Sequence, residues 1–205
     1  MIRGLPSQQF WAYSGSTYTI PLPEGHRFPM YKYAGVRYIL EQQGLKILEP
    51  SRPSWEQVER VHTHEYLRQL RFGDLEPKEL RLLGFPWSEM LVERALRAAG
   101  GTLQASFDAL ECGLGINLAG GTHHAYPDHG EGFCTLNDVA IAAKELLEPI
   151  GSRGFSFAIW TCIKATAPPR FLRTNLESSP YPCMVFAITR FTRKPRAWMW
   201  AWVTA

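Results

Sequence analysis

Apolar residues recur at helical spacing through much of the first 150 positions of the chain. A period of three to four residues predicts helices that each bury one face against a core. Serine or threonine stands just before four of these segments, where its side chain can accept a hydrogen bond from the first turn. The four predicted N-caps are Ser54, Thr63, Ser88 and Thr135.

Two of the predicted helices carry informative glycines. The first begins near Tyr31 and ends at Gly44, which is a typical C-terminal cap residue. The longest begins at Ser88, ends near Leu110 and contains Gly100 and Gly101 in its middle. Each glycine there costs about 1 kcal/mol relative to alanine, so the pair predicts close packing or a bend.

One apolar segment, from Gly115 to Leu118, is too short for a helix and predicts a buried strand. Helices that alternate with buried strands are typical of an α/β sandwich with a mostly parallel sheet. Active sites of such sheets form in the loops that follow the carboxyl ends of the strands. The predicted strand leads directly into the segment Gly120-Gly121-Thr122-His123-His124, so chemistry is expected there.

Adjacent histidines have two interpretations. Neutral histidine exchanges protons near pH 7, and a pair of them suits general acid–base chemistry. A surface loop without function can also carry His123 and His124, so the surrounding residues must decide. His62 and His64 are two positions apart and do not share a helix face, and we interpret them as structural.

The surrounding residues form two motifs, GGTHHA at 120–125 and GFCTLND at 132–138. In sequence and spacing they resemble the N-terminal part of the zinc-dependent histone deacetylase family, which has the arginase/deacetylase fold. Three upstream segments add to the resemblance, which covers most of residues 17–148 and implies a truncated three-layer α/β sandwich. These segments are 20–30, 62–70 and 84–103.

The resemblance also implies a role for each matched residue. His123 and His124 would shuttle protons, with His124 as the general base that activates water. Gly132 would offer its carbonyl to the N–H of the substrate, and Phe133 would line a narrow channel around the lysine stem. Phe133 also has a simpler interpretation as a core aromatic. Two further matched residues would fix the loop and the helix start, namely Asn137 and Asp138.

The family's cofactor is zinc, which polarises the carbonyl of the substrate and a bound water. Its ligands should lie in a run of the form Asp-x-Asp-x-His-x-Gly-Asn-Gly on the next strand. Residues 157–169 read FAIWTCIKATAPP instead, and neither Asp nor His occurs from there to residue 205. Zinc requires several N, O or S ligands. We therefore expect no metal-binding residues in this chain and no bound zinc.

The genetic code offers a reason for the missing run. With suitable synonymous codons, residues 158–169 regrouped one base earlier read Asp-Leu-Asp-Val-His-Gln-Gly-Asn-Gly-Thr-Ala. Residues 175–185 similarly read Glu-Pro-Arg-Val-Phe-Thr-Leu-Ser-Met-His-Gly. We interpret residues 1–152 as the N-terminal part of a deacetylase-like domain and residues 153–205 as an out-of-frame tail.

Charge is distributed unevenly along the chain. Residues 151–205 hold eight basic residues and one acid, whereas the formal charge of the whole chain is +3. The same tail holds four of the seven tryptophans, a composition that by itself suggests a nucleic-acid or membrane-surface arm. An out-of-frame origin removes that interpretation, so neither nucleic acid nor a membrane is expected as a partner.

The remaining composition indicates a globular protein. No run of about 18 apolar residues is present, so no transmembrane helix is expected. The first residues lack the pattern of a signal peptide. The four cysteines show no paired or metal-type spacing, which favours a reducing compartment, namely the cytoplasm.

Three functions stay open from the sequence. The first is metal-dependent hydrolysis of acetyl-lysine or a similar acylated amine by the intact form of the gene product. The second is an inactive, truncated remnant that lacks the metal site and at most binds a partner. The third is a ureohydrolase of the same fold, but the channel aromatic Phe133 suits a long acylated side chain better than guanidine chemistry.

Overall fold

The computed structural model describes residues 11–150, 156–161 and 184–189, with side chains up to residue 146. Six α-helices pack around one sheet in the described part of the chain. The helices are α1 (Lys32–Gln42), α2 (Trp55–Glu59), α3 (His64–Phe72), α4 (Pro77–Leu83), α5 (Glu89–Cys112) and α6 (Asp138–Ile150). The strands are β1 (Trp11–Tyr13), β2 (Lys46–Leu48), β3 (Leu114–Asn117), β4 (Ser156–Thr161) and β5 (Met184–Thr189).

The described sheet has five strands in the order β2-β1-β3-β5-β4. Strand β1 pairs in parallel with β2 and with β3. Strand β5 runs antiparallel to both of its neighbours, β3 and β4. The predicted α/β class with parallel strands is confirmed, and β5 is the strand whose direction departs from the parallel arrangement.

Helices cover both faces of the sheet. Consecutive residues of a strand point to opposite faces, so Ala12 and Tyr13 mark the two sides of β1. Ala12 packs in a cluster with Val36 of α1, whereas Tyr13 packs with Ala105 of α5. The sheet therefore lies between two helical layers, and this agrees with the expected three-layer sandwich.

The glycine pair in α5 permits the close packing that was predicted for it. A Cβ atom added to Gly100 would lie 1.8 Å from the carbonyl oxygen of Ser51. A Cβ atom on Gly101 would lie 2.7 Å from the Tyr18 hydroxyl oxygen. Real Cβ atoms do not approach other atoms so closely, because the repulsion exceeds any gain in helix propensity.

Three of the four predicted N-caps are confirmed, and one is wrong. Ser54, Thr63 and Ser88 each accept a hydrogen bond from the first turn of their helix. Thr135 does not cap α6, because the helix begins three residues later and Asn137 accepts the hydrogen bond from the Ala140 N–H at 3.0 Å.

Sequence reasoning missed the short strands β1 and β2 and the longer strand β5, and it shifted β3 by one residue. Strands β1 and β2 have three residues each, too few to show a period. Strand β3 ends at Asn117 instead of Leu118, although Leu118 is buried directly after it. Among the residues that the structure describes, no helix is long and apolar enough to cross a membrane.

Candidate functional site

The loop between β3 and α6 carries the histidine pair at the carboxyl end of a parallel strand. The ring centroids of His123 and His124 lie 4.3 Å apart, and the ring planes are inclined by 35°. Both residues are exposed to solvent. The Nδ1 atom of His123 lies 2.8 Å from the carbonyl oxygen of Gly121 and donates a hydrogen bond to it. This contact orients one imidazole of the pair.

A buried carboxylate holds the start of this loop. Asp138, the first residue of α6, is fully buried and accepts hydrogen bonds from the backbone N–H groups of Gly121 and Thr122 at 2.8 and 2.7 Å. The hydroxyls of Thr122 and Thr102 also contact its two oxygens. Burial raises the pKa of Asp138, and these hydrogen bonds act in the opposite direction. The prediction that Asp138 fixes the loop agrees with these contacts.

The neighbouring residue holds the other end of the loop. The side-chain amide of Asn137 donates to the carbonyl oxygens of Ala125 at 2.9 Å and His123 at 3.4 Å. The backbone N–H of Asn137 donates in turn to Nε2 of His62 at 2.9 Å. His62 is buried, and this burial lowers its pKa. A neutral His62 that accepts this bond is a structural residue, as the sequence interpretation held.

Gly132 and Phe133 lie beside the histidine pair in an unusual backbone conformation. Their φ angles are 57° and 68°, and Phe133 is the only non-glycine residue with positive φ in the described part of the chain. Their backbone N–H groups donate to the carbonyl oxygens of Leu82 and Leu83 at the end of α4. A Cβ atom on Gly132 would lie 3.8 Å from Cβ and Cγ of His124, so the Gly132 backbone lies beside the His124 side chain.

The ring of Phe133 is half-buried at the edge of an aromatic cluster. Its centroid lies 5.1 Å from that of Phe28 and 5.2 Å from that of Phe85. His26 meets the same ring edge-on at 6.1 Å. One side of Phe133 is therefore fixed by aromatic contacts, and the partly exposed remainder fits either predicted role, as a channel wall or as a packed aromatic.

Cations lie behind this aromatic cluster. Arg94 is buried, donates to the Tyr33 hydroxyl at 2.6 Å, and places its guanidinium 5.5 Å from the ring centroids of both Phe28 and Phe85. The ammonium of Lys32 lies 4.6 Å from the Phe28 centroid. These contacts are within the range of cation–π attraction, so they give the wall behind Phe133 a positive potential. Sequence reasoning missed both cations.

Cys134 follows Phe133 but is not poised for chemistry. It is buried, and burial raises the pKa of its thiol to about 12. Its sulfur lies 3.7 Å from the Gly132 carbonyl oxygen. The thiol is therefore neutral at physiological pH and acts as a small packing residue, because nucleophilic attack and metal binding both require the thiolate.

The described side chains do not by themselves make a zinc site. Within residues 11–146, no three His, Cys, Asp or Glu side chains lie together as a group that holds a metal ion. Asp138 is engaged by backbone N–H groups, and His62 by the N–H of Asn137. Among the described residues, the site therefore contains a pair of adjacent histidines and an aromatic wall but no ligand set.

The fold and this loop together define an α/β protein with a histidine pair at the carboxyl end of a parallel sheet. The sequence of residues 26–154 matches the Histone deacetylase domain. The chain belongs to the histone deacetylase family. This confirms the resemblance found in the two loop motifs.

Individual relatives agree with the family. An uncharacterized protein of Picosynechococcus is 44% identical over 133 residues, which are 63% of this chain and 44% of that protein. A probable deacetylase of Archaeoglobus fulgidus is 38% identical over 54% of this chain and 31% of its own length. A histone deacetylase of Schizosaccharomyces pombe is 33% identical over 60% of this chain and 33% of its own length. The chain spans less than half the length of each.

A solved structure supports the fold. The crystal structure of a histone deacetylase homologue from Aquifex aeolicus superposes with a TM-score of 0.53. The superposition covers 71% of this chain and 43% of that chain at 20% sequence identity. Similarity at this level of identity shows a shared fold, and the α/β architecture predicted from the sequence is confirmed.

The structure brings the four predicted site residues together. The tilted rings of His123 and His124 have centroids 4.3 Å apart, Gly132 lies beside His124, and Phe133 follows Gly132 along the chain. Their roles in catalysis stay predictions. What the sequence did not reveal is the wall behind Phe133, since Phe28, Phe85 and Arg94 come from two distant segments whose resemblance to the family does not show that they meet in space.

The close approach of Gly84 to the Phe133 ring generates a prediction about substitution of Gly84. Gly84 and Gly44 both follow helices with φ near +80°, where alanine costs about 1–2 kcal/mol. A Cβ on Gly84 would lie 2.8 Å from the Phe133 ring, whereas nothing lies within 4 Å at Gly44. We expect Gly84→Ala to lower the free energy of unfolding by about 1–3 kcal/mol more than Gly44→Ala. Urea titration measures this difference in the free energy of unfolding between the two variants. Phe133→Ala in the same chain should abolish the difference. A difference that stays the same would contradict the contact between position 84 and the Phe133 ring.

The buried His62 generates a pH prediction. Its folded-state pKa is lowered from 6.5, so the unfolded chain binds more protons below that pH. The contribution of the neutral His62 to the free energy of unfolding is therefore complete above pH 6.5. This contribution is lost as the pH falls towards the lowered pKa of the folded state. Urea unfolding should show a weaker loss of stability on acidification in His62→Gln than in the unchanged chain.

The control is His64→Gln, since His64 is exposed, and this variant should keep the original pH dependence. Equal pH dependence in all three proteins would refute the assignment of this stability loss to His62.

Proposed function

We propose that the intact product of this gene hydrolyses acetyl-lysine or a similar acylated amine. The observation that carries the proposal is the proximity of His123, His124, Gly132 and Phe133 at the carboxyl end of β3, with 4.3 Å between the two imidazole centroids. Membership of the histone deacetylase family supports the proposed reaction class, amide hydrolysis of an acylated side chain.

Each residue of the group has a role that its geometry permits. His124 is exposed and acts as the general base that takes a proton from water. His123 holds its Nδ1 hydrogen towards Gly121, so its Nε2 atom is left to exchange protons. The Gly132 carbonyl accepts a hydrogen bond from the N–H of the substrate, and Phe133 forms a wall for its methylene stem.

Zinc is the cofactor of this family, but the described residues of this chain do not form its site. We propose that the metal ligands are encoded in another reading frame, across the codons for residues 158–169. The match to the Histone deacetylase domain ends at residue 154, close to the inferred break after residue 152 or 153. The 205-residue chain is then a product without the family's ligand run.

The alternative function belongs to a different class. As written, the chain is an inactive remnant that retains the histidine loop and at most binds a partner. The sequence feature that favours this alternative is the absence of Asp and His from residues 151–205. Catalysis by the intact product and inactivity of this chain are compatible, since they concern two different polypeptides.

Sequencing the gene across the codons for Pro149 to Ile163 is the first test. One additional or missing base that opens the Asp-x-Asp-x-His frame supports the proposal of an intact, longer enzyme. Codons that cannot be regrouped into this run overturn the reading-frame proposal, whatever the activity of the chain.

Activity is tested by comparing the 205-residue chain with a frame-restored protein. We expect the restored protein to bind one zinc ion and to release acetate from an acetyl-lysine peptide, and the 205-residue chain to do neither. His124→Ala in the restored protein should lower kcat by about 100- to 10,000-fold, the usual contribution of a general base. His64→Ala is the matched control, since His64 is exposed on α3. Stoichiometric zinc binding by the 205-residue chain would show that the metal site is misplaced.

A further inference from the structure

The carboxylate of Asp138 and the ring of His123 contact the same peptide group from opposite ends. The Thr122 N–H donates to Oδ1 of Asp138 at 2.7 Å. The carbonyl of that peptide, which belongs to Gly121, lies 2.8 Å from Nδ1 of His123. A carbonyl oxygen only accepts hydrogen bonds, so the Nδ1 atom carries the hydrogen. The peptide group thus connects a buried acid to an exposed imidazole.

Hydrogen bonds in series polarise one another. A peptide N–H that is bound to a carboxylate gives its own carbonyl oxygen more negative charge, which strengthens the next bond in the chain. The effect is largest away from water, and Asp138, Thr122 and Gly121 are all buried. The Nδ1–H tautomer of His123 is therefore favoured over the Nε2–H tautomer, although no carboxylate within residues 11–146 bonds to the ring directly.

The geometry points to Asp138 as a positioning residue that fixes the tautomer of His123 through the Gly121–Thr122 peptide. This leaves the Nε2 lone pair of His123 as the site that accepts a proton. The tautomer itself is a property of this chain, and only its use in amide hydrolysis rests on the proposed function.

A purely structural role for Asp138 is the competing explanation, and Thr102 separates the two. The Thr102 hydroxyl on α5 contacts Oδ2 of Asp138 and accepts from the Asn117 side-chain amide at 2.8 Å. Thr102→Val therefore weakens the buried network while the acceptors of the Gly121 and Thr122 N–H groups remain. Asp138→Asn instead removes one of those acceptors, because an amide nitrogen can only donate.

The test uses the 205-residue chain labelled with ¹⁵N in its histidine rings. His123→Gln assigns the signals of His123 among the six histidines. Ring nitrogen chemical shifts then give the ratio of the Nδ1–H to the Nε2–H tautomer in the neutral ring. We expect Nδ1–H to predominate in the unchanged chain and its ratio to fall about 1.2- to 1.7-fold in Asp138→Asn, which corresponds to 10–30% of one typical hydrogen bond.

Thr102→Val should lower the Tm, as Asp138→Asn does, but should leave the tautomer ratio of His123 unchanged. An unchanged ratio in Asp138→Asn, or an equal shift in Thr102→Val, overturns the inference. If Asp138→Asn does not fold, the unchanged chain decides: a dominant Nε2–H signal overturns the inference, and a dominant Nδ1–H signal supports it. None of these measurements needs zinc or substrate, so a failure of the proposed hydrolysis leaves them interpretable.

Discussion

The histidine loop depends on one buried carboxylate. Asp138 accepts hydrogen bonds from the backbone N–H groups of Gly121 and Thr122 at the base of the loop. Because Asp138 is fully buried, water cannot take the place of either partner in these bonds. An unpaired N–H in such a place costs about 1–3 kcal/mol, so the loop has little freedom to leave this conformation. Asn137 fixes the far end of the loop in the same way, through Ala125 and the buried His62.

Sequence reasoning could group the histidine loop and most helix caps because their residues lie close together along the chain. The caps at Ser54, Thr63 and Ser88 act within one helical turn, and His123, His124, Gly132 and Phe133 lie in one loop. The same reasoning failed at Thr135, whose hydroxyl suits a cap as well as the Asn137 side chain does. Only the tertiary contacts of Asn137 and Asp138 decide where α6 begins.

Features built from distant segments could not be predicted. The rings behind Phe133 come from residues 28 and 85, and the buried Arg94 comes from α5. Strands β1 and β2 are three residues long and exist because the neighbouring strand supplies their hydrogen bonds. No local pattern encodes such partners, since a periodic signal reports which face of an element is buried and not what covers it.

The contacts that hold the histidine loop all come from residues that precede the middle of α6. Asp138, Asn137, His62 and Thr102 are synthesised before any of the strands β4 and β5. These residues are therefore all encoded upstream of the codons where the reading frame is in question. A change of frame after residue 152 or 153 leaves every one of them, and so the contacts that shape the histidine loop, within the chain.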